Sequence, residues 1–145
     1  MKHSATSSAS VNALERIVVA SVAITARALS DVAPELTLVQ WRVLVLIDRP
    51  GGLTVGAIAA ELESKIAAVS RLLGRLRSRG LIDTRRDLTD ARLVYVSLTD
   101  AGMDLRTRVL DRRRDDLLAA LDQGHLPANA PQTIEGLAGV LETVA

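Results

Sequence analysis

The sequence contains no cysteine, which excludes disulfides, thiolate nucleophiles, thiolate metal ligands and a cysteine-oxidation switch. Histidine occurs only as His3 and His125, two isolated positions that read more simply as surface residues than as zinc ligands. Phosphate-binding glycine loops, H-E-x-x-H and G-x-S-x-G motifs are also missing. The sequence therefore predicts a protein that is not an enzyme and that holds no metal and no cofactor.

A long apolar run and a charged-then-apolar leader are also lacking by inspection, since the first ten residues, MKHSATSSAS, are polar. We expect this segment to be a frayed tail, and the protein to be cytoplasmic without membrane contact. A length of 145 residues with 48% hydrophobic content suits a single domain over residues 1–145.

The chain has almost no net charge, because 18 Lys and Arg balance 17 Asp and Glu and leave a net charge of +1. The distribution is uneven. Residues 65–92 hold eight basic and three acidic residues, a net +5, which leaves −4 on the remainder. This segregation favours one surface that binds a polyanion, with chance clustering as the alternative. Sixteen of the basic residues are arginine, which fits a high-GC bacterial source.

Residues 53–79 predict two short helices. Thr54 is a suitable N-cap for the first, and Glu63 with Ser64 interrupts the pattern. The second helix extends from Lys65 to Arg79, and Gly80 ends it. Its apolar residues recur three and four positions apart and predict one buried stripe: Ile66, Val69, Leu72, Leu73 and Leu76.

The opposite face of this second helix carries small and basic residues. Arg71 and Arg75 lie one turn apart, a spacing that suits two phosphates or a phosphate and a guanine edge. Ala67 and Gly74 would allow a close approach, although neutral drift also explains a glycine there. The predicted face comprises Lys65, Ala67, Ala68, Ser70, Arg71, Gly74, Arg75 and Ser78. A solvated helix face without a partner is the alternative.

Residues 81–98 predict a β-hairpin, because apolar residues alternate on both sides of the polar tip DLTDA. Arg85 and Arg86 precede the tip and Arg92 follows it. An Asp carboxylate in the tip can hold an arginine in a fixed fork, and such an arginine suits a narrow minor groove. A helix pair followed by a basic hairpin predicts a winged helix-turn-helix over residues 37–99.

Helices are also predicted at both ends of the chain, over residues 11–36 and 100–145. Thr37 and Gln40 predict a capping box for an intervening helix that is apolar almost all round and contains Trp41. After Thr99, a suitable N-cap, a helix of about 24 residues is expected to run to Gln123, where Gly124 and then Pro127 end it. Its charged residues are of mixed sign, and Asp104 with Arg108 and Arg112 with Asp116 are i,i+4 pairs, which favours a solvated, self-paired face over a DNA contact. The terminal segments are most simply buried against a second copy as dimerisation helices.

Five segments of the chain together carry a family resemblance: LTLVQWRVLVLI, LTVGAIAAEL, VSRLLGRLRSRGLI, D-A-R and VSLTDAG. Over roughly residues 11–121 the chain resembles the MarR (multiple-antibiotic-resistance regulator) family of bacterial transcription factors. The resemblance implies a mainly α fold with a small β-hairpin wing (α+β). It also implies a homodimer on a pseudopalindromic double-stranded DNA operator, usually a repressor released by a small hydrophobic or phenolic ligand. Arg92 would enter the minor groove, with Asp90 as its orienting partner. The DNA-binding residues implied are Lys65, Ala67, Ala68, Ser70, Arg71, Arg75, Arg86, Asp90 and Arg92.

Ile66, Ala67 and Ala68 depart from the resemblance, since the family commonly has Ser or Thr at the start of this helix. We therefore expect base readout to depend on thymine-methyl contact by Ala67 or Ala68, on Ser70 and Arg71, and on groove shape. The alternative function is a winged-helix dimer that has lost specific DNA readout and acts as a ligand-binding or protein-interaction module. The resemblance places an effector pocket between the dimerisation helices and the winged domain, where Trp41 would either line the pocket or belong to the core.

Overall fold

Six helices and a small sheet form in the described part of the computed structural model, which comprises residues 2–124 and 127–143. The elements are α1 (Lys2–Val32), α2 (Leu38–Leu46), β1 (Leu53–Thr54), α3 (Val55–Glu61), α4 (Ile66–Ser78), β2 (Ile82–Arg86), β3 (Val94–Leu98), α5 (Asp100–Gln123) and α6 (Ala130–Glu142). The strands form an antiparallel sheet of order β1-β3-β2. The chain divides within α5, after Arg113, into two compact units.

Threonine side chains begin three of the helices, as the sequence predicts. At α2 the Gln40 amide donates to Thr37 Oγ1 at 3.2 Å, and the Thr37 amide donates to Gln40 Oε1 at 2.9 Å, which completes the capping box. Thr54 Oγ1 accepts from the Ala57 amide at 3.1 Å, and Thr99 Oγ1 accepts from the Gly102 amide at 3.1 Å. Each hydroxyl satisfies a helix-end donor that would otherwise lack a partner.

The core of the first unit lies where α2, α3, α4 and the sheet pack together, with contributions from the C-terminal end of α1 and the first half of α5. Its fully buried side chains include Leu44, Ile58, Leu76 and Val96. Trp41 is only 5% exposed, so of the two roles considered for it the core role is the correct one. The turn between α4 and the sheet requires Gly80, whose φ is +69°.

The hairpin forms in the predicted place, with Ile82 paired to Leu98 and Arg86 paired to Val94. The third strand, β1, was not predicted. Leu53 pairs with Val96 and Thr54 with Tyr95, so β1 consists of two residues and is too short to produce an alternating pattern.

The N-terminal helix differs from the expectation in two ways. It begins at Lys2, so the segment expected to be a frayed tail is helical. The stretch Ser8–Val32 is also long and apolar enough to cross a membrane by length and composition alone, contrary to the expectation that no such segment exists. The α1 residues that belong to the core or pack against it, Ala28, Leu29 and Val32, lie at its C-terminal end, so the helix continues well beyond them. His125, predicted as an isolated surface residue, and the side chain of His3 lie outside the described residues.

Candidate nucleic-acid interface

Helix α4 separates its residues into a buried and an exposed face, as predicted. Val69, Leu72, Leu73 and Leu76 are buried. The residues assigned to the exposed face are all exposed: Lys65, Ala67, Ala68, Ser70, Arg71, Gly74, Arg75 and Ser78. The helix therefore presents small and basic side chains outward while its leucines hold it to the core.

Ile66 does not belong to the buried stripe, so that part of the prediction is wrong. Its side chain is 60% exposed. Helical spacing places Ile66 near the core face, but it is the first residue of α4 and precedes the part of the helix that the core covers. The residue before it, Lys65, occupies the N-cap position without a side-chain cap hydrogen bond.

The arginines of α4 differ in whether they have partners. Arg79, just after the helix, forms an ion pair with Glu35. Arg71 and Arg75 form no ion pair with any residue in the part of the chain that the structure describes. Their guanidinium groups therefore remain available to an external anion.

Three arginines of α5, by contrast, form ion pairs. Arg108 lies 3.2 Å from Asp104, which confirms that predicted i,i+4 pair. Arg106 lies 2.9 Å from Asp48, and Arg112 lies 3.0 Å from Asp31 of α1. The Arg108 pair fits the predicted self-paired face, whereas the other two contacts join α5 to residues outside the helix, which the sequence did not predict.

A groove of about 520 Å³ lies between α4 and the hairpin. The helix contributes Ser70, Gly74 and Arg77 to it, and the hairpin contributes Thr84 and Arg86. Two predicted site residues on different elements, Ser70 and Arg86, are thus brought to one groove. Arg77 was not among the predicted site residues, because its proximity to the hairpin depends on how the hairpin folds back on the helix.

The hairpin tip holds Arg92 in a defined position. Arg92 Nε donates to Asp90 Oδ1 at 3.1 Å, and its Nη2 donates to Oδ2 at 3.4 Å. The Arg92 amide also donates to Asp90 Oδ1 at 3.0 Å. Because the Arg92 side chain is nevertheless 91% exposed, the remaining guanidinium N–H groups point to solvent. The predicted fork is therefore present, with Asp90 as the residue that orients Arg92.

A second carboxylate orders the turn itself. Asp87 Oδ1 accepts from the Thr89 hydroxyl at 2.6 Å, from the Thr89 amide at 2.8 Å and from the Asp90 amide at 3.0 Å. The Thr89 hydroxyl and these amides lower the pKa of Asp87 below its ordinary value, and Arg92 lowers the pKa of Asp90 in the same way. Both carboxylates are therefore ionised at neutral pH, and their contribution to the tip is lost only as the pH falls through the lowered pKa values.

The remaining tip residues place an apolar side chain beside this ordered turn. Leu88 is 96% exposed. Further back along the hairpin, the Arg85 guanidinium lies 5.5 Å from the centre of the Tyr95 ring. Arg85 therefore lies over an aromatic ring of the hairpin, whereas Arg92 is held at the tip by Asp90.

Comparison with known proteins assigns this arrangement to a family. A family model described as MarR family matches residues 35–93, which span α2 to the hairpin tip. The HTH-type transcriptional repressor IacR of Pseudomonas putida is 25% identical over 81 residues, 56% of this chain and 48% of that protein. The HTH-type transcriptional regulator TtmR of Methylorubrum extorquens is 30% identical over 115 residues, 68% of this chain and 59% of that protein. The chain thus spans about half the length of these curated relatives.

A solved structure matches over nearly the whole chain. The crystal structure of RV1404 from Mycobacterium tuberculosis is 27% identical, covers 91% of this chain and 90% of that chain, and superposes with a TM-score of 0.78. This match covers more of the chain than the family model does. With its exposed basic helix, its ordered wing and these matches, the chain belongs to the MarR family of winged-helix proteins.

Proposed function

We propose that this protein is a sequence-specific double-stranded DNA-binding transcriptional regulator, and that it acts as a homodimeric repressor in the cytoplasm. The observation that carries the proposal is the contrast among the arginines. Arg71 and Arg75 on α4 are exposed and form no ion pair among the described residues, and Arg92 on the wing is exposed and oriented, whereas Arg106, Arg108 and Arg112 of α5 are held in ion pairs within the fold. Unpaired arginines on a helix followed by a wing match a surface that contacts DNA phosphates and both grooves. The names of IacR and TtmR support the same function.

The homodimer is supported by the exposed apolar face of α1. Leu29 is buried at the C-terminal end of this helix. Val11, Val18 and Val22 lie on the same face of the helix, at helical multiples from Leu29, and each is about half exposed. An apolar face that continues far beyond the core it serves is most simply covered by the same helix of a second copy.

A glutamate introduced at Val18 should dissociate the dimer, because it would place an unpaired charge in the apolar contact. We expect the wild-type protein to sediment at twice the chain mass of 15.5 kDa and Val18→Glu to sediment as a monomer. Ala20→Glu is the matched control, since it adds the same charge at an exposed position on the opposite side of α1. A wild-type monomer, or a Val18→Glu dimer of unchanged affinity, would contradict this assignment of the α1 face.

Release by a small molecule is the further part of the proposal, and the groove between α4 and the hairpin supports it. Its lining combines apolar Val55, Leu73 and Val94 with the guanidinium groups of Arg77 and Arg86. A hydrophobic, anionic molecule seated there would occupy the surface that we assign to DNA, so binding of the two would be mutually exclusive.

Salt-dependent binding tests the DNA assignment directly. We would measure fluorescence anisotropy with duplex DNA from upstream of the protein's own gene, and with a scrambled duplex, across a salt series. A preference of about 10³ or more for the native duplex is expected of a specific regulator. Arg71→Ala and Arg75→Ala should each lower the slope of log K against log salt by about one if each residue neutralises a phosphate. If a substitution instead abolished discrimination at a single base position, the arginine would read a base. If it changed neither the salt slope nor base discrimination, α4 would be excluded as the DNA contact.

The second candidate function, a dimer without specific DNA readout, is favoured by Ala67 and Ala68, which are exposed and cannot hydrogen-bond a base through their side chains. The same experiment separates the two functions. Equal, weak and steeply salt-dependent binding to both duplexes would show a basic surface without base readout, and would support the interaction-module function.

A further inference from the structure

We propose that Ile66, together with Ala67 and Ala68, reads the 5-methyl groups of thymine in the major groove, so that Ile66 is a determinant of operator sequence. This inference rests on the proposed function, which it makes more specific. The observation behind it is the position of Ile66, whose side chain is 60% exposed at the first residue of α4. The remaining apolar residues of that stripe are buried.

The first turn of α4 has no side chain suited to reading a base by hydrogen bonds. Ile66, Ala67 and Ala68 are all exposed and apolar, and the first polar side chain within the helix is Ser70. In helix-turn-helix complexes the N-terminal residues of the recognition helix contact base edges. The thymine methyl is the apolar group that a base pair presents in the major groove, whereas guanine and adenine are read by donors and acceptors. An apolar first turn is therefore complementary to thymine.

The rest of the helix allows the necessary approach. Methyl contact requires heavy atoms within about 4.0–4.5 Å, which a bulky outward face would prevent. Ser70 lies one turn after Ile66 on the same side, and Gly74 lies one turn after Ser70. A Cβ at Gly74 would meet no atom of the described residues within 4 Å, so no close contact among those residues accounts for a glycine there. The residues one and two turns after Ile66 are thus small, so they would allow DNA to approach Ile66 closely.

A protein partner is a weaker explanation for this exposed isoleucine. One isoleucine and two alanines provide far less area than the roughly 800 Å² per partner of a stable interface. The neighbouring exposed residues on the helix, Arg71 and Arg75, favour a polyanion.

Deoxyuridine provides the test, because it differs from thymidine only by the 5-methyl group. The probe is a duplex enriched from a random library by the purified full-length protein, resynthesised with deoxyuridine at the thymines of its half-sites. We expect affinity to fall about fourfold for each contacted methyl removed, the effect of burying one methyl-sized group. Deoxyuridine placed only in the flanking DNA should have no effect.

Variants of the protein assign the effect to Ile66. Ile66→Ser should bind the thymidine and deoxyuridine duplexes with more nearly equal affinity, and Ile66→Val should retain most of the discrimination. Arg71→Ala is the matched control, since it should weaken binding to both duplexes by the same factor. Because Ile66 is exposed, these variants should keep the wild-type melting temperature.

The outcomes separate the inference from the function on which it rests. Enrichment of a specific sequence, followed by equal binding of its thymidine and deoxyuridine forms, would overturn methyl reading and leave the regulator function intact. A thymidine preference that Ile66→Ser retains in full would overturn the role of Ile66. Failure to enrich any sequence would overturn both the specific-readout function and this inference.

Discussion

Gly102→Ala is expected to destabilise the protein by about 3 kcal/mol, because the first turn of α5 lies against the backbone at Leu81. A Cβ at position 102 would overlap the Leu81 carbonyl oxygen and lie 3.2 Å from Leu98 Cδ2. The leucine side chain can rotate, but the carbonyl cannot move without disturbing the start of β2. Alanine gains only about 1 kcal/mol in helix propensity over glycine, so the clash outweighs the gain.

The close approach at Gly102 has an identifiable cause in the hydrogen bonds of Thr99. The Thr99 hydroxyl donates to the Gly80 carbonyl at 2.6 Å, and the Thr99 amide donates to the Leu81 carbonyl at 3.2 Å. The same hydroxyl accepts from the Gly102 amide at 3.1 Å. One threonine therefore joins the start of α5 to the turn after α4, and it leaves no room for a side chain at position 102.

Urea denaturation followed by circular dichroism measures this prediction, with Gly74→Ala as the matched control. Both glycines lie in helices, but a Cβ at position 74 would meet open space. Gly74→Ala should therefore stabilise the protein by up to about 1 kcal/mol, the opposite sign to Gly102→Ala. If both substitutions stabilised the protein, the predicted clash between a side chain at position 102 and the Leu81 carbonyl would be contradicted. If Gly74→Ala also weakened DNA binding, the glycine would be explained by the approach of DNA.

Local rules predicted a large part of this fold from the sequence. The caps at Thr37, Thr54 and Thr99 depend on residues at most three positions apart, and all three form as expected. The Asp90–Arg92 fork spans two residues and also forms. Such features are predictable because their geometry is fixed by the chain near them and depends little on distant segments.

The errors arise where a distant segment decides the outcome. Helical spacing assigned Ile66 to the buried stripe, but burial also requires a neighbouring element that reaches the first turn of α4. Strand β1 forms because Leu53 and Thr54 meet β3, some forty residues later in the chain. Arg77 joins the groove beside Arg86 because the hairpin folds back on the helix. Spacing along the sequence describes a face, and the tertiary structure decides what covers it.

Arg92→Ala is expected to weaken operator binding by at least about 1 kcal/mol for each wing, roughly fivefold, while the dimer remains intact. The side chain is exposed, yet two hydrogen bonds to the Asp90 carboxylate fix its direction. A guanidinium held in place before binding loses less conformational entropy when it enters a narrow minor groove. The affinity of each variant for the selected duplex would be measured by fluorescence anisotropy at constant salt.

Arg85→Ala is the control that separates a groove contact from a general charge effect. It removes the same charge from the same hairpin, but Arg85 lies over the Tyr95 ring and makes no fork with the tip carboxylates. We expect its loss to reduce affinity much less than the loss of Arg92. Asp90→Ala should fall between the two, because Arg92 keeps its charge and loses its fixed direction. Equal effects of Arg85→Ala and Arg92→Ala would mean that the wing acts only through its net charge, and the assignment of Arg92 to the minor groove would be withdrawn.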